Sequence, residues 1–259
     1  MKNSNTIEVT FLGTGTSTGV PVVACNCEVC TSKDPRDKRL RTSAMVKIKN
    51  KTFIIDCGPD FRLQMLNNNV EDIDAILFTH SHRDHIAGLD DVRGYNYILN
   101  KRISLYGKQD VLDFIETSFP YIFSNQRYFG TPQVDLIPID DSILDVEGVK
   151  IIPINIQHQK DMIFGYRFNN FTYITDASQI NDQEMKKIEG SEVLVINALR
   201  NSPHVSHFSL SQAIDVVKRI NPREAYFVHM SHFIGKHADV EAKLPPNMHL
   251  AYDGLKIFI

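Results

Sequence analysis

The segment 79–85, which reads THSHRDH, holds the side chains of this chain best suited to chemistry. Imidazole and carboxylate groups are ligands for zinc, iron and nickel. Residues two apart on an extended chain face the same side, so His80 and His82 can address one ion. Successive residues of a helix diverge by about 100°, so Asp84 and His85 can reach a second ion. One segment therefore supplies half of a two-metal site.

The flanking sequence favours this interpretation over a solvated loop that contains histidines by chance. The apolar run 75–78, AILF, is typical of a buried strand, and 86–89, IAGL, is typical of a helix start. Loops at the ends of strands commonly carry functional side chains on a rigid scaffold. We therefore expect the histidines to stand at the C-terminal end of a strand.

Three more ligand-type residues each follow an apolar, strand-like run: His158 after 149–156, Asp176 after 171–175 and His229 after 224–228. A single histidine at such a position is usually structural or exposed. Four strand ends with ligand-type residues in one chain indicate a shared site. The strands fall into two groups, each with antiparallel hairpins followed by helices, which predicts an α/β fold, a four-layer αββα sandwich. We expect one domain over 1–259, one helix over 86–99, a strand pair near the C-terminus and no internal repeat.

A cysteine cluster provides a second candidate metal site. Cys25, Cys27 and Cys30 form a C-x-C-x2-C motif, and three thiolates leave one vertex of a tetrahedral zinc site open. His232 lies three residues beyond a predicted ligand and would join the N-terminal loop to the active-site edge. Cys57 is the rival fourth ligand, and three free thiols without metal are the remaining alternative.

Composition limits the function classes. At 259 residues and 42% hydrophobic composition, the chain can bury one large core or two small ones. Its net charge of −3 does not favour a nucleic-acid partner. No apolar run reaches the roughly 18 residues of a membrane span, and no signal region precedes the first strand, so we expect a cytoplasmic location. The glycine-rich loop 13–19 lacks the Lys-Ser/Thr ending of a P-loop, so we expect a tight turn beside the metal site.

Together these motifs resemble the metallo-β-lactamase-fold hydrolases over essentially the whole chain. The resemblance implies a dinuclear site in which His80, His82 and His158 hold the first metal, Asp84, His85 and His229 hold the second, and Asp176 bridges them. The two catalytic metals are expected to be zinc, manganese, iron or nickel. The resemblance also implies a metal-bound hydroxide as the nucleophile.

Two features resemble particular branches of that superfamily. The opening FLGTG at 11–15 is similar to the phosphodiesterase branch, which includes ribonuclease Z. The cysteine cluster with His232 resembles the cyclic phosphodiesterases of the carbon–phosphorus lyase pathway, where such a set binds a structural zinc. The segment 206–209, SHFS, is similar to the stretch that holds their proton-donating histidine. We therefore expect His207 and Asp84 to be catalytic, with His207 as a general acid; the alternative is a surface histidine beside a helix cap.

The predicted substrate is a small cyclic or nucleotide-like phosphodiester. Two divalent ions with two aspartates and one hydroxide keep about one positive charge, which matches a phosphodiester monoanion. A ribonuclease Z-like endonuclease, a thioesterase or lactonase, and a non-enzymatic zinc-binding module are the alternatives. Arg93, Arg200 and Lys236 are candidate phosphate contacts, whereas His204, His237 and His249 are expected at the surface. We expect no membrane partner, and a homodimer is the expected assembly.

We predict that the purified protein contains about three divalent ions per chain, of which one resists chelation because three thiolates and an imidazole enclose it. Metal analysis before and after treatment with a chelator measures both numbers. Two ions per chain, both removed together, would contradict the structural zinc.

Overall fold

The computed structural model describes residues 6–124, 128 and 130–259. Residues 1–5, which enter the expectation of no signal region, lie outside this range. None of the helices in the described part of the chain has the length and apolar character that a membrane span requires.

The described strands form two seven-stranded sheets. The first sheet contains β1 (Glu8–Gly13), β2 (Ser43–Ile48), β3 (Lys51–Ile55), β4 (Ala75–Leu77), β5 (Ile103–Gly107), β6 (Val134–Pro138) and β14 (Lys256–Phe258). The second contains β7 (Leu144–Val146), β8 (Val149–His158), β9 (Asp161–Phe168), β10 (Phe171–Tyr173), β11 (Val193–Asn197), β12 (Glu224–Val228) and β13 (Met248–Leu250). The α-helices are α1 (Phe61–Asn67), α2 (Arg83–Ile86), α3 (Arg93–Leu99), α4 (Gln109–Ser118), α5 (Pro120–Phe123), α6 (Asp182–Ile188), α7 (Leu210–Ile220) and α8 (His237–Glu241).

The two sheets repeat one topology. In the first, β1, β2 and β3 are antiparallel and β3 to β6 are parallel. In the second, β7 to β10 are antiparallel and β10 to β13 are parallel. The sequence shows no repeat, because any apolar residues with the right alternation can build both sheets. The expected C-terminal strand pair is wrong: β13 extends the second sheet, whereas β14 crosses to pair with β1 in the first.

Three apolar clusters define the layers. One cluster lies between the sheets and includes Phe53 and Phe168, whose ring centroids are 5.7 Å apart. Each of the other two clusters packs the outer face of one sheet against its helices. The parallel strand β4 is therefore buried on both faces, which explains its uninterrupted apolar sequence. The predicted four-layer αββα sandwich is confirmed.

The helix expected over 86–99 is broken into three pieces. Helix α2 ends at Ile86, a 3-10 turn covers Leu89–Val92, and α3 follows. The break occurs at Gly88, whose N–H donates to the Cys57 carbonyl at 2.9 Å. A Cβ at this position would lie 2.0 Å from the Gly58 carbonyl oxygen, so only glycine allows this close approach. The contact fixes the histidine segment against the end of β3.

Two hydrogen bonds between the sheets also anchor the histidine segment. The hydroxyl of Tyr166, on β9, donates to the Phe78 carbonyl at 2.6 Å, and the Phe164 N–H donates to the Thr79 carbonyl at 3.0 Å. Both acceptors lie within the two residues before His80. The second sheet therefore fixes, through these hydrogen bonds, the start of the histidine segment that follows β4 of the first sheet.

We predict that Tyr166→Phe lowers the free energy of unfolding by about 1–2 kcal/mol, because it removes the hydroxyl that satisfies a buried carbonyl. Tyr173→Phe is the matched control: Tyr173 is equally buried, but its hydroxyl has no hydrogen-bond partner in the described structure. We expect Tyr173→Phe to be neutral or stabilising. Urea unfolding measures both variants, and equal destabilisation would contradict the role of the Tyr166 hydroxyl.

Candidate metal centre

The structure brings all seven predicted catalytic-metal ligands together at one edge of the sandwich. Within each of several groups, the ligand atoms lie within 4.8 Å of one another. The groups are His80 with His82 and His158, His80 with His85 and Asp176, and Asp84 with His85 and His229. Most of these side chains are buried, whereas His82 is exposed at the mouth of the site.

Asp56, which follows β3, orients two of the imidazoles. Its fully buried carboxylate accepts hydrogen bonds from His85 Nδ1 at 2.6 Å and from the Thr79 N–H and hydroxyl, both at 2.8 Å. Since the Thr79 hydroxyl donates to Asp56, it accepts from His80 Nδ1 at 2.9 Å. The Nε2 atoms of His80 and His85 are therefore free of protons in the neutral rings and have no hydrogen-bond partner among the described residues. Asp56 was not among the predicted site residues, although it follows a buried strand much as Asp176 does.

His158 and His229 are held differently. His158 Nδ1 lies 2.6 Å from the Asp176 carbonyl and 2.9 Å from the Ser206 carbonyl, so this nitrogen carries the proton. His229 Nε2 lies 3.1 Å from Asp176 Oδ1 and 3.7 Å from Asp84 Oδ2 without hydrogen-bond geometry. Unpaired buried nitrogens are costly unless a cation accepts their lone pairs. These side chains therefore fit a pair of divalent cations.

The charges of the centre reinforce that fit. Burial acts to raise the pKa of Asp176, but His229 and His85 outweigh it and hold this pKa well below its usual range. The same balance, with His85 and His229 as the opposing groups, lowers the pKa of Asp84. Burial acts to lower the pKa of His229, but Asp176 and Asp84 raise it to about 9. Without a cation, protons on the imidazoles neutralise the two carboxylates.

His207 lies against the same centre. Its Nε2 is 3.0 Å from Asp176 Oδ1, and its ring centroid is 4.8 Å from that of His229. Burial lowers the pKa of His207 to about 4, although the hydrogen bond to Asp176 opposes this shift. The expected cap follows it: Ser209 begins α7 in a capping box with Gln212. His207 is thus placed where a proton donor would act, and its catalytic role remains a prediction.

The cysteine cluster meets His232, as its spacing suggested. His232 Nδ1 lies 3.3 Å from Cys25 Sγ, 3.4 Å from Cys27 Sγ and 3.3 Å from Cys30 Sγ. A tetrahedral zinc with bonds of about 2.3 Å to sulfur and about 2.0 Å to nitrogen requires nitrogen–sulfur separations near 3.5 Å. The four residues fit such an ion. The rival ligand Cys57 lies in the apolar cluster outside the first sheet, and the four thiols of the described chain are free.

The three candidate phosphate contacts all have partners within the chain. Arg93 pairs with Asp90 at 3.1 Å, and Lys236 pairs with Glu28 at 2.9 Å. Arg200 donates to backbone carbonyls of its own loop. None of these contacts places the side chain at the metal centre.

The three histidines expected at the surface differ in burial and in their partners. The expectation is wrong for His237, which is buried with its Nδ1 3.2 Å from the Arg39 guanidinium. His249 is half-buried between Glu224 and Glu241. His204 is half-buried with its Nδ1 3.3 Å from His207 Nδ1, so it adjoins the centre.

Comparison with known proteins agrees with this geometry. A family model described as "Beta-lactamase superfamily domain" matches residues 51–230. A crystal structure of a "New Diphosphatase from the PhnP Family" superposes with a TM-score of 0.90 at 38% identity and covers 97% of both chains. Zinc-bound PqqB from Methylobacterium extorquens shares the fold, with a TM-score of 0.76 at 18% identity over 96% of this chain and 99% of its own.

The curated relatives are longer proteins. An octanoyltransferase of Porphyromonas gingivalis (strain ATCC BAA-308 / W83) is 39% identical over 252 residues, which are 96% of this chain and 51% of that protein. A ribonuclease Z of Saccharolobus islandicus (strain L.S.2.15 / Lassen #1) is 30% identical over 126 residues, 47% of this chain and 38% of that protein. The chain thus spans about half or less of these relatives, whose names describe the whole proteins. From the family match and the near-complete superposition, the chain belongs to the beta-lactamase superfamily and, within it, to the PhnP family.

Proposed function

We propose that this chain is a dinuclear-metal hydrolase that cleaves a phosphorus–oxygen bond in a small, nucleotide-like phosphodiester or diphosphate. The observation that carries the proposal is the convergence of seven histidine and aspartate side chains, with His207 hydrogen-bonded to Asp176 at its edge. The likeness to a PhnP-family diphosphatase supports phosphorus chemistry and adds diphosphates to the phosphodiesters that the sequence suggested.

In this proposal, His80, His82 and His158 would hold one cation, Asp84, His85 and His229 would hold the other, and Asp176 would serve both. The chemistry that bound cations would supply is polarisation of the phosphoryl group and activation of a water molecule. Asp84 and Asp176 stay ionised because their pKa values lie below the usual range, so the loaded centre keeps a modest positive charge. That charge suits a substrate monoanion and the added negative charge of its transition state.

His207 supplies the proton for the leaving group. Its Nε2–H passes to the leaving oxygen as the phosphorus–oxygen bond breaks, and the ring keeps the proton on Nδ1. Because the pKa of His207 is about 4 in the free protein, the ring is neutral at pH 7 and takes up its second proton when the anionic substrate binds beside it. Asp84, whose side chain is 13% exposed, would accept a hydrogen bond from the attacking water and orient it.

We expect purified protein to hydrolyse bis(p-nitrophenyl) phosphate and a dinucleoside diphosphate, and to leave a thioester, a lactam and a precursor tRNA intact. His82→Ala and Asp176→Ala should each lower kcat/KM by about a hundredfold or more, since even outer partners of metal ligands cost 10–100-fold. His249→Ala, which removes a histidine outside the centre, is the control. Wild-type activity in either ligand variant at unchanged metal content would refute the proposal, and selective cleavage of the tRNA would favour a ribonuclease Z-like enzyme.

We also expect zinc to bind the metal-free protein more tightly as the pH rises from 7 towards 9. His229 is protonated below its raised pKa of about 9 and must lose that proton to become a ligand. At pH 7, binding should therefore release at least about one proton. Calorimetry in two buffers with different ionisation enthalpies measures this number. A binding heat independent of the buffer would contradict the predicted charge state.

A further inference from the structure

The imidazole of His204 meets the far side of the His207 ring. His204 Nδ1 lies 3.1 Å from the Ser206 hydroxyl, 3.3 Å from the Ser206 N–H and 3.3 Å from His207 Nδ1. The Ser206 hydroxyl is itself 2.9 Å from His207 Nδ1. The Ser206 hydroxyl therefore contacts both the His204 and the His207 imidazole.

The direction of these hydrogen bonds follows from their donors. A backbone N–H can only donate, so His204 Nδ1 accepts from Ser206 and carries no proton. The same nitrogen offers an acceptor to the Ser206 hydroxyl. Once His207 carries its second proton, as proton donation requires, the hydroxyl oxygen accepts from His207 Nδ1, while His207 Nε2 faces Asp176 Oδ1 at 3.0 Å. Each nitrogen of the His207 ring thus has its own partner.

Other contacts hold the loop itself in place. Arg200 donates to the Ser202 carbonyl at 3.2 Å and to the Pro203 carbonyl at 2.8 Å. The Asn201 amide donates to the Ile234 carbonyl at 3.0 Å. None of these bonds uses the His204 side chain, so removal of that side chain leaves them intact.

We propose that His204 is a positioning residue: through the Ser206 hydroxyl it fixes the His207 ring so that Nε2, rather than a ring carbon, faces the leaving oxygen. A 180° rotation of the ring would exchange Nε2 with Cε1 and Nδ1 with Cδ2, and would lose both hydrogen bonds. The inference rests on the proposed role of His207 as proton donor. It assigns His204 no contact with the substrate or the metals.

Two substrates that differ only in their leaving group test this role. Thymidine 5′-(p-nitrophenyl) phosphate releases a phenolate that is stable without a proton, whereas thymidine 5′-phenyl phosphate gains more from a proton donor. We expect His204→Ala to lower kcat for the phenyl ester by about tenfold or more, part of the 10²–10⁴-fold that general acids contribute. For the nitrophenyl ester the change should stay within about threefold.

Two further variants separate positioning from folding. In His204→Asn, an amide oxygen can replace Nδ1 as acceptor, so we expect it to recover most of the phenyl-ester activity. Val205→Ala, at an exposed neighbour in the same loop, should behave as wild type with both esters.

Equal losses of His204→Ala on both esters, or no loss on either, would overturn the inference while wild-type turnover left the proposed function standing. If the wild-type protein hydrolyses neither ester, the proposed function and this inference fall together.

Discussion

Two carboxylates and several imidazoles share a largely buried edge of this protein, and the rest of the site is arranged around that constraint. Burial alone would protonate Asp176 and Asp84, yet neighbouring histidines keep both ionised. When neutral, each imidazole needs an acceptor for its one N–H and a cation near its other nitrogen. Asp56 is the acceptor for His85 Nδ1. The unpaired Nε2 atoms are the nitrogens left for a cation. Divalent metal binding would satisfy this arrangement.

The repeated topology explains how residues so distant in sequence meet. Both sheets turn from antiparallel to parallel strands, and the C-terminal ends of β3, β4, β10 and β12 carry most of the site, whereas His158 ends the antiparallel strand β8. Asp56, Asp176 and His229 all adopt left-handed backbone conformations, with φ of 63°, 57° and 57°. Such conformations cost an L-residue about 1 kcal/mol, although Asp and His adopt them more readily than most. Each lets the chain leave its strand sharply while the side chain turns into the centre.

The N-terminal loop joins both metal sites through the segment after β12. Met230 donates to the Thr14 carbonyl and accepts from the Thr16 N–H, each at 3.0 Å, so the glycine-rich loop pairs with the residue after His229. A Cβ on Gly15 would lie 2.9 Å from Arg39, which explains the glycine. The loop is thus a close-packed support for the segment after β12. Three thiols of the same N-terminal region then surround His232, two residues beyond Met230.

The fold class and most of the candidate metal ligands could be predicted from the sequence alone, because the motifs that indicate them are local. The segment 79–85 and the C-x-C-x2-C motif place several ligands within a few residues, and apolar runs mark the strands whose ends carry His158, Asp176 and His229. The layer architecture follows from the same alternation of strands and helices. Only the tertiary structure showed that Asp56 and His204 contact residues of the site. It also placed His237 in a buried position beside Arg39, and it placed Cys57 away from the other three thiols. Those outcomes depend on packing between segments far apart in the chain, where a side chain's own sequence neighbours carry no information about its partners.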